Sequence, residues 1–302
     1  VDVIALRREG APAFEVLQGV NVYRIQTRQR NERSWFDYLN RVTRFMIISA
    51  CVLTRKHLSS PYDVVHVHSV PDFLVFGALI PKILGAKIIL DIHDILPEFF
   101  ASKFGARKQS LRFKLLLWAE YLSVRFSDHV IIANDLWRER LISRCVKADR
   151  CTAIVNYPDS ELFYPRSRPA ATVRKFRITY PGTLNAHQGL DVAIRAVAEI
   201  KDEMPDVEFH IYGEGPAKDA LVELSVQLGL SQTVLFHEFL PCDRIAEAMA
   251  LSDLSVVPKR ASSEFGNEAM STKIMEFMCL GVPVIVARTK VDAYYHDDTR
   301  VK

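Results

Sequence analysis

Strand-length apolar runs alternate with helix-length amphipathic stretches from one end of this chain to the other, and nothing else constrains its fold as much. Parallel neighbours in a sheet need a crossover of a dozen or more residues, which a helix supplies, so the alternation predicts parallel sheets covered by helices. In the first half it places strands at 1–6, 20–25, 63–67, 86–91, 128–132 and 151–155, with helices near 34–58, 72–84, 110–126 and 135–145. A proline-rich stretch without period follows, from Asn156 through Pro158 and Pro165 to Ala171, and reads as an interdomain linker. The pattern then restarts, with strands at 176–181, 207–212, 233–237, 253–257 and 282–287 and helices at 188–203, 216–229, 243–251 and 272–280. Two α/β domains are expected, 1–165 and 166–302, each a doubly wound parallel sheet offering ligand loops at the carboxyl ends of its strands. A cleft between the two sets of loops is the natural place for a ligand.

The 302 residues, 49% of them hydrophobic and 25% charged, suffice for two cores. No apolar run is long enough to span a bilayer. Five cysteines, an odd number with no CxxC pair, favour reduced thiols in a cytoplasmic setting over a disulfide framework or a zinc site. Cys279 is expected in the core. Residues 1–166 carry 24 Lys and Arg against 17 Asp and Glu, a net +7, whereas residues 167–302 carry 15 against 19, a net −4. The two halves therefore face different partners. The chain starts at Val1 inside a strand pattern and stops after a polar loop, and the expectation is a fragment cut at both ends.

Glu268 and Glu276 bracket seven residues, Ala269 to Met275. The helix of 272–280 is expected to start at Ser271 or Thr272, both good N-caps, and to end at Gly281. Glu268 then lies in the loop before the helix and Glu276 one turn inside it. Unpaired N–H groups at the helix start, together with Lys273, favour a phosphate. A carboxylate repels a phosphate, so the two acids suit the hydroxyls of a ribose or a hexose.

Glycines recur at strand ends in the same half. Gly182, with Thr183 and Leu184, follows the first strand; Gln188 and Gly189 open the next helix; Gly213-Glu214-Gly215-Pro216 follows the second strand. Each alone reads as a tight turn, and together with the glutamate pair they read as a phosphate cradle. No GxGxxG follows a strand and no GxxxxGK[ST] is present, which argues against a dinucleotide oxidoreductase or a P-loop NTPase. In the first half, Leu90-Asp91-Ile92-His93-Asp94 with Pro97-Glu98 puts a histidine and acids at a strand end, suited to proton transfer or sugar recognition. His66 and His68 alternate on another strand, and only the strand-end His68 is expected to reach a ligand.

In this order the pieces resemble the retaining glycosyltransferases of family 4, which have the GT-B architecture of two Rossmann-like domains. The resemblance covers Asp63 to His68, Asp91 to Asp94 with Glu98, Gly182 to Leu184, Gln188-Gly189, Gly213 to Pro216, and Glu268 to Glu276 with Gly281 to Ile285. It implies that Glu276 binds the ribose of a UDP- or GDP-linked sugar. It also implies that Glu268 contacts the donor sugar near the reacting carbon, and that His93 contacts the donor sugar. Where the family usually has Arg and Lys on the pyrophosphate, this chain has Thr183 and Gln188, so Lys273, with Lys259 or Arg260, is expected to supply the charge. The implied reaction is retaining transfer to a saccharide or lipid-linked acceptor in cell-surface polysaccharide or glycolipid synthesis, with no essential metal. A nucleotide-sugar 2-epimerase and a non-catalytic binding fragment are the rivals.

Residues 102–117 carry five positive charges and no negative one among apolar residues, and 28–44 add Arg28, Arg30, Arg33, Trp35, Phe36, Arg41 and Arg44. These stretches suit contact with an anionic membrane at its inner face, against the alternative of a solvated basic face. The pattern of a nucleic-acid binder is missing.

Overall fold

A computed structural model describes residues 1–27, 35–69, 71–104, 110–166, 175–262 and 264–296. Arg28, Arg30 and Arg33, and residues 105–109 of the second basic stretch, lie outside them. The chain forms two compact units, Val1–Ile154 and Val155–Lys302.

The first unit begins with β1 (Asp2–Arg7), β2 (Phe14–Leu17) and β3 (Val20–Thr27), which make a small separate sheet in the order β1-β3-β2. β1 runs parallel to β3, but β2 is antiparallel to it. The sequence pattern misses β2. The two-residue loop Gln18-Gly19 has positive φ at both positions, 49° and 80°, the backbone that closes a tight hairpin. Then come α1 (Trp35–Ser59), β4 (Val64–His68), a 3₁₀ segment Asp72–Ala78 running into α2 (Leu79–Ile83), β5 (Lys87–Ile92), α3 (Leu96–Phe104), α4 (Leu111–Phe126), β6 (His129–Ile132), α5 (Asp135–Arg144) and β7 (Cys151–Ala153). β4-β5-β6-β7 is a parallel sheet. Ile88, Leu90 and Ile92 alternate into its core, leaving Asp91 on the other face. Side-chain caps start the helices here: Ser110 accepts from the Phe113 N–H and Asn134 from the Trp137 N–H.

The second unit continues with β8 (Phe176–Pro181), α6 (Leu190–Ile200), β9 (Val207–Tyr212), α7 (Lys218–Gln227), β10 (Val234–His237), α8 (Cys242–Ala250), β11 (Leu254–Val257), α9 (Glu264–Glu268), α10 (Thr272–Cys279), β12 (Val284–Val286) and α11 (Lys290–Tyr295). Its five strands are all parallel in the order β10-β9-β8-β11-β12. Helices cover both faces. On one, Leu190, Ala193, Ile194 and Val197 of α6, at helical spacing, pack on Ile178, Tyr180, Phe209 and Ile211. On the other, Ala246 and Met249 of α8 and Ile274 and Phe277 of α10 pack on Val257 and Val284. Each such buried side chain contributes roughly 1.5–3 kcal/mol. The segment read as a linker joins this second core: Phe163 is buried beside Ala246 and Met249. All five cysteines are unbridged, but Cys279 is exposed rather than core. With Ile274 and Phe277 turned inward, a residue two positions past Phe277 faces solvent. Strand order reverses between β8 and β11, which opens a crevice at the carboxyl edge where β8, β9 and β11 end.

Candidate functional site

Two glycine turns interlock at that edge. The Gly182 N–H donates to the Tyr212 carbonyl (2.8 Å), Leu184 N–H to Glu214 O (3.0 Å), Gly213 N–H to His237 O (3.3 Å) and Ala217 N–H back to Leu184 O (2.9 Å). Gly182 and Gly213 have φ of 138° and 137°, a region that only glycine enters without strain. A Cβ on Gly213 would overlap the Gly182 carbonyl, and one on Gly215 the Leu184 carbonyl. Gly189 ends the turn Ala186–Gln188 in the left-handed conformation and starts α6, with its α-carbon against the Pro258 carbonyl. The glycines predicted from sequence are therefore brought together by backbone packing.

Two lysines converge on this cradle. Lys273, in the first turn of α10, lies over Gly182: a Cβ there would overlap its Cε and stand 3.0 Å from its Nζ. The ammonium is 5.5 Å from the centre of the Tyr180 ring. Burial lowers the Lys273 pKa, opposed by Glu276. Lys259, just past β11, is 8% exposed and donates to the Ala269 carbonyl. Burial lowers its pKa too, opposed by Asp292 and reinforced by Lys273. The His187 pKa is lowered by burial and by these same two lysines. Both cations are desolvated, and Lys273 lowers the Lys259 pKa, an arrangement that attracts an anion. Arg260 does not join them; its guanidinium pairs with Asp191. Thr183 is exposed, with its carbonyl accepting from the Tyr180 hydroxyl (3.3 Å), and Gln188 Nε2 lies 3.1 Å from His187 Nε2.

The glutamates sit differently from one another. Glu276 lies one turn into α10, accepts from the Thr272 hydroxyl, and has its pKa raised by burial against the pull of Thr272 and Lys273. Ser271 is the N-cap residue but makes no side-chain cap bond. Glu268 is not in a loop: it is the last residue of α9, 4% exposed, with Lys290 Nζ 3.0 Å from its carboxylate. Asn267 accepts the Lys290 N–H at 2.7 Å, so α9 and α11 are clasped side by side. Neither short helix shows in the hydrophobic periodicity; His187 and Lys290, which the sequence reading did not assign to the site, become visible only through these contacts.

In the first unit, His93 follows β5 and its Nε2 lies 2.9 Å from His68 Nδ1. His66 is part of the same group, its Nε2 3.1 Å from Asp91 Oδ2, because residues two apart on a strand share a face. Burial raises the Asp94 pKa, opposed by His93. Glu98 sits in a buried ion-pair cluster. It is 3% exposed and pairs with Arg144 and with Arg140 (3.4 Å), while Arg144 also reaches Glu120 at 3.3 Å. Among the described residues no helix is long and apolar enough to cross a membrane.

Residues 1–156 match the glycosyl transferase 4-like domain, and residues 166–297 match the glycosyl transferases group 1 family. The chain belongs to these glycosyltransferases. Among curated relatives, the sulfoquinovosyl transferase SQD2 of Arabidopsis thaliana is 23% identical over 265 residues, 83% of this glycosyltransferase and 47% of the plant protein. The chain spans about half the length of the curated relatives it matches first. Among solved structures, sucrose-phosphate synthase from Thermosynechococcus elongatus superposes with a TM-score of 0.70 at 17% identity, covering 97% of this chain and 72% of that one. Anabaena Alr3699/HepE in complex with UDP-glucose gives a TM-score of 0.66 at 18% identity, covering 92% and 70%. The fold class of this chain is α/β of the GT-B kind, as the family resemblance implied.

Proposed function

We propose that this chain transfers a sugar from a UDP- or GDP-linked donor to a saccharide or lipid-linked acceptor with retention, in cell-surface polysaccharide or glycolipid synthesis, and without an essential metal. The observation that carries the reading is the desolvated Lys273 ammonium over Gly182, with Lys259 beside it and Glu276 one turn further along α10. A diphosphate in the glycine cradle would meet both lysines and the N–H groups at the start of α10. Glu276, held by Thr272, would accept the ribose hydroxyls, and Glu268, held by Lys290, would contact the donor sugar. His93 is assigned a further donor-sugar contact on the strength of the family resemblance. As the bond from the anomeric carbon to the diphosphate oxygen breaks, its electron pair leaves with the diphosphate, and a preorganised cation stabilises that developing charge without reorganising. The UDP-glucose bound by the Anabaena neighbour and the sugar transfer named for the plant relative support this chemistry.

Incubation with UDP-glucose and GDP-mannose, followed by NMR, tests the reading. Release of nucleoside diphosphate with an α-linked product supports it; a β-linked product refutes retention, and interconversion of the nucleotide sugars without release points to the 2-epimerase. A second observation favours a membrane-borne acceptor. Leu111, Leu115, Trp118 and Tyr121 lie exposed along one side of α4, next to exposed Arg112 and Lys114. We assign this apolar and basic face to an anionic bilayer, where the stems bury and the cations meet lipid phosphates.

A further inference from the structure

We propose that His66, His68 and Asp91 form a binding site for a divalent transition-metal cation, with Zn²⁺ the ion these donors suit best. The strand register assembles it. β4 and β5 run parallel with His68 opposite Asp91, and His66 stands two residues earlier on the same face. His66 Nε2, His68 Nδ1 and His93 Nε2 lie 3.1, 3.3 and 3.9 Å from one and the same oxygen, Asp91 Oδ2, and the His68 and His93 nitrogens are 2.9 Å apart. Donors bound tetrahedrally at the usual zinc distances stand about 3.3–3.6 Å from one another, so the observed separations straddle the required ones. Among the described residues, His66, His68 and Asp91 are the one group of three or more His, Cys, Asp or Glu whose ligand atoms all lie within 4.8 Å.

His66 Nε2 and His68 Nδ1, from two positions of one strand, both face a single carboxylate oxygen of the next. The rings are also gathered, His66 on His68 at 4.5 Å and His68 on His93 at 5.2 Å between centroids. A cation shared by His66 Nε2, His68 Nδ1 and Asp91 Oδ2 accepts all three lone pairs at once. Two imidazoles with a carboxylate suit zinc, copper or nickel better than magnesium or calcium, which take oxygen shells. Held from both strands, the ion ties the ends of β4 and β5 together. His93 stands beside His68 and is not one of the donors.

The probe is Co²⁺, titrated into the chelator-treated full chain without any nucleotide sugar, so the result stands apart from the transferase reading. One equivalent is expected to give the intense visible bands of four-coordinate cobalt without a thiolate charge-transfer band, to be displaced by Zn²⁺, and to raise the melting temperature. His66→Ala and His68→Ala alter side chains that are 41% and 62% exposed, and each is expected to weaken Co²⁺ binding by at least the ~10–100-fold that loss of an outer-shell partner costs. Circular dichroism confirms that each variant is folded. Absence of saturable uptake, uptake unchanged in both variants, or a thiolate band placing the ion on cysteine overturns the proposal.

Discussion

Lys273→Met separates what this lysine does for the fold from what it does for a ligand. Methionine keeps the unbranched stem and deletes the ammonium. Burial lowers the Lys273 pKa from 10.5, so between the folded and unfolded values the unfolded chain binds more protons and stability rises with pH. The buried charge therefore costs stability at neutral pH, and the variant without nucleotide should melt no lower than the wild type. Binding moves the other way. A hydrogen bond to a charged group contributes about 1.5–3 kcal/mol, which is roughly 10- to 150-fold in the Kd for a diphosphate. At a UDP concentration of about 100 times the wild-type Kd, ligand stabilisation of about 2.7 kcal/mol should fall to about 0.3–1.3 kcal/mol. With about 2–4 °C per kcal/mol for a unit of this size, the nucleotide-induced rise in melting temperature shrinks by at least half. Differential scanning fluorimetry with UDP and GDP reads this, with Arg195→Met on the exposed side of α6 as the control. A wild-type nucleotide shift in Lys273→Met, or a large drop in its ligand-free melting temperature, refutes the assignment and makes the lysine a packing residue.

Other perturbations follow the same logic. The Glu276 pKa is raised by burial, so the folded protein loses stability as pH rises past 4.5 toward the raised value; Glu276→Gln should be more stable than wild type at pH 7.5, equal to it near pH 4, and weaker for UDP in calorimetry. Glu120 is pushed up to about 7 by burial, with Arg144 opposing, so stability should decline between pH 4.5 and 7, and Glu120→Gln should flatten that slope in urea unfolding. Trp118→Ser on α4 should reduce flotation with phosphatidylglycerol liposomes while leaving the weak association with neutral liposomes unchanged, and flotation independent of lipid charge removes the docking reading.

The elements most legible in the sequence were those whose signal is local. β8 and β9 run over the expected 176–181 and 207–212 because apolar residues alternating along each (Phe176, Ile178, Tyr180; Val207, Phe209, Ile211) end at glycines that the next turn requires. α10 was readable from Ile274 and Phe277 together with Gly281, whose φ of 69° is the usual left-handed close of a helix. Illegible features depended on partners distant in sequence. α9 and α11, five and six residues long, are too short to show a period and are held by Glu268 and Asn267 on Lys290. Nothing near Glu98 in sequence announces its partner Arg144, which lies 46 positions away. For His66, distance from the strand end does not reveal that it shares a face with His68 and lies against Asp91 of β5.

The interlocked turns at the carboxyl edge bear on how such a chain can change. Gly213 and Gly215 are fixed by backbone overlap and Gly182 by its φ of 138° beneath the Lys273 stem, so almost no substitution is tolerated there, whereas Thr183 and Glu214, adjacent to them, are exposed. Selection can vary these neighbours, and through them the chemistry presented at the rim, without disturbing the frame of the two turns. Rigid and permissive positions alternate along a few residues of chain, which lets one architecture serve many sugars with little risk to folding.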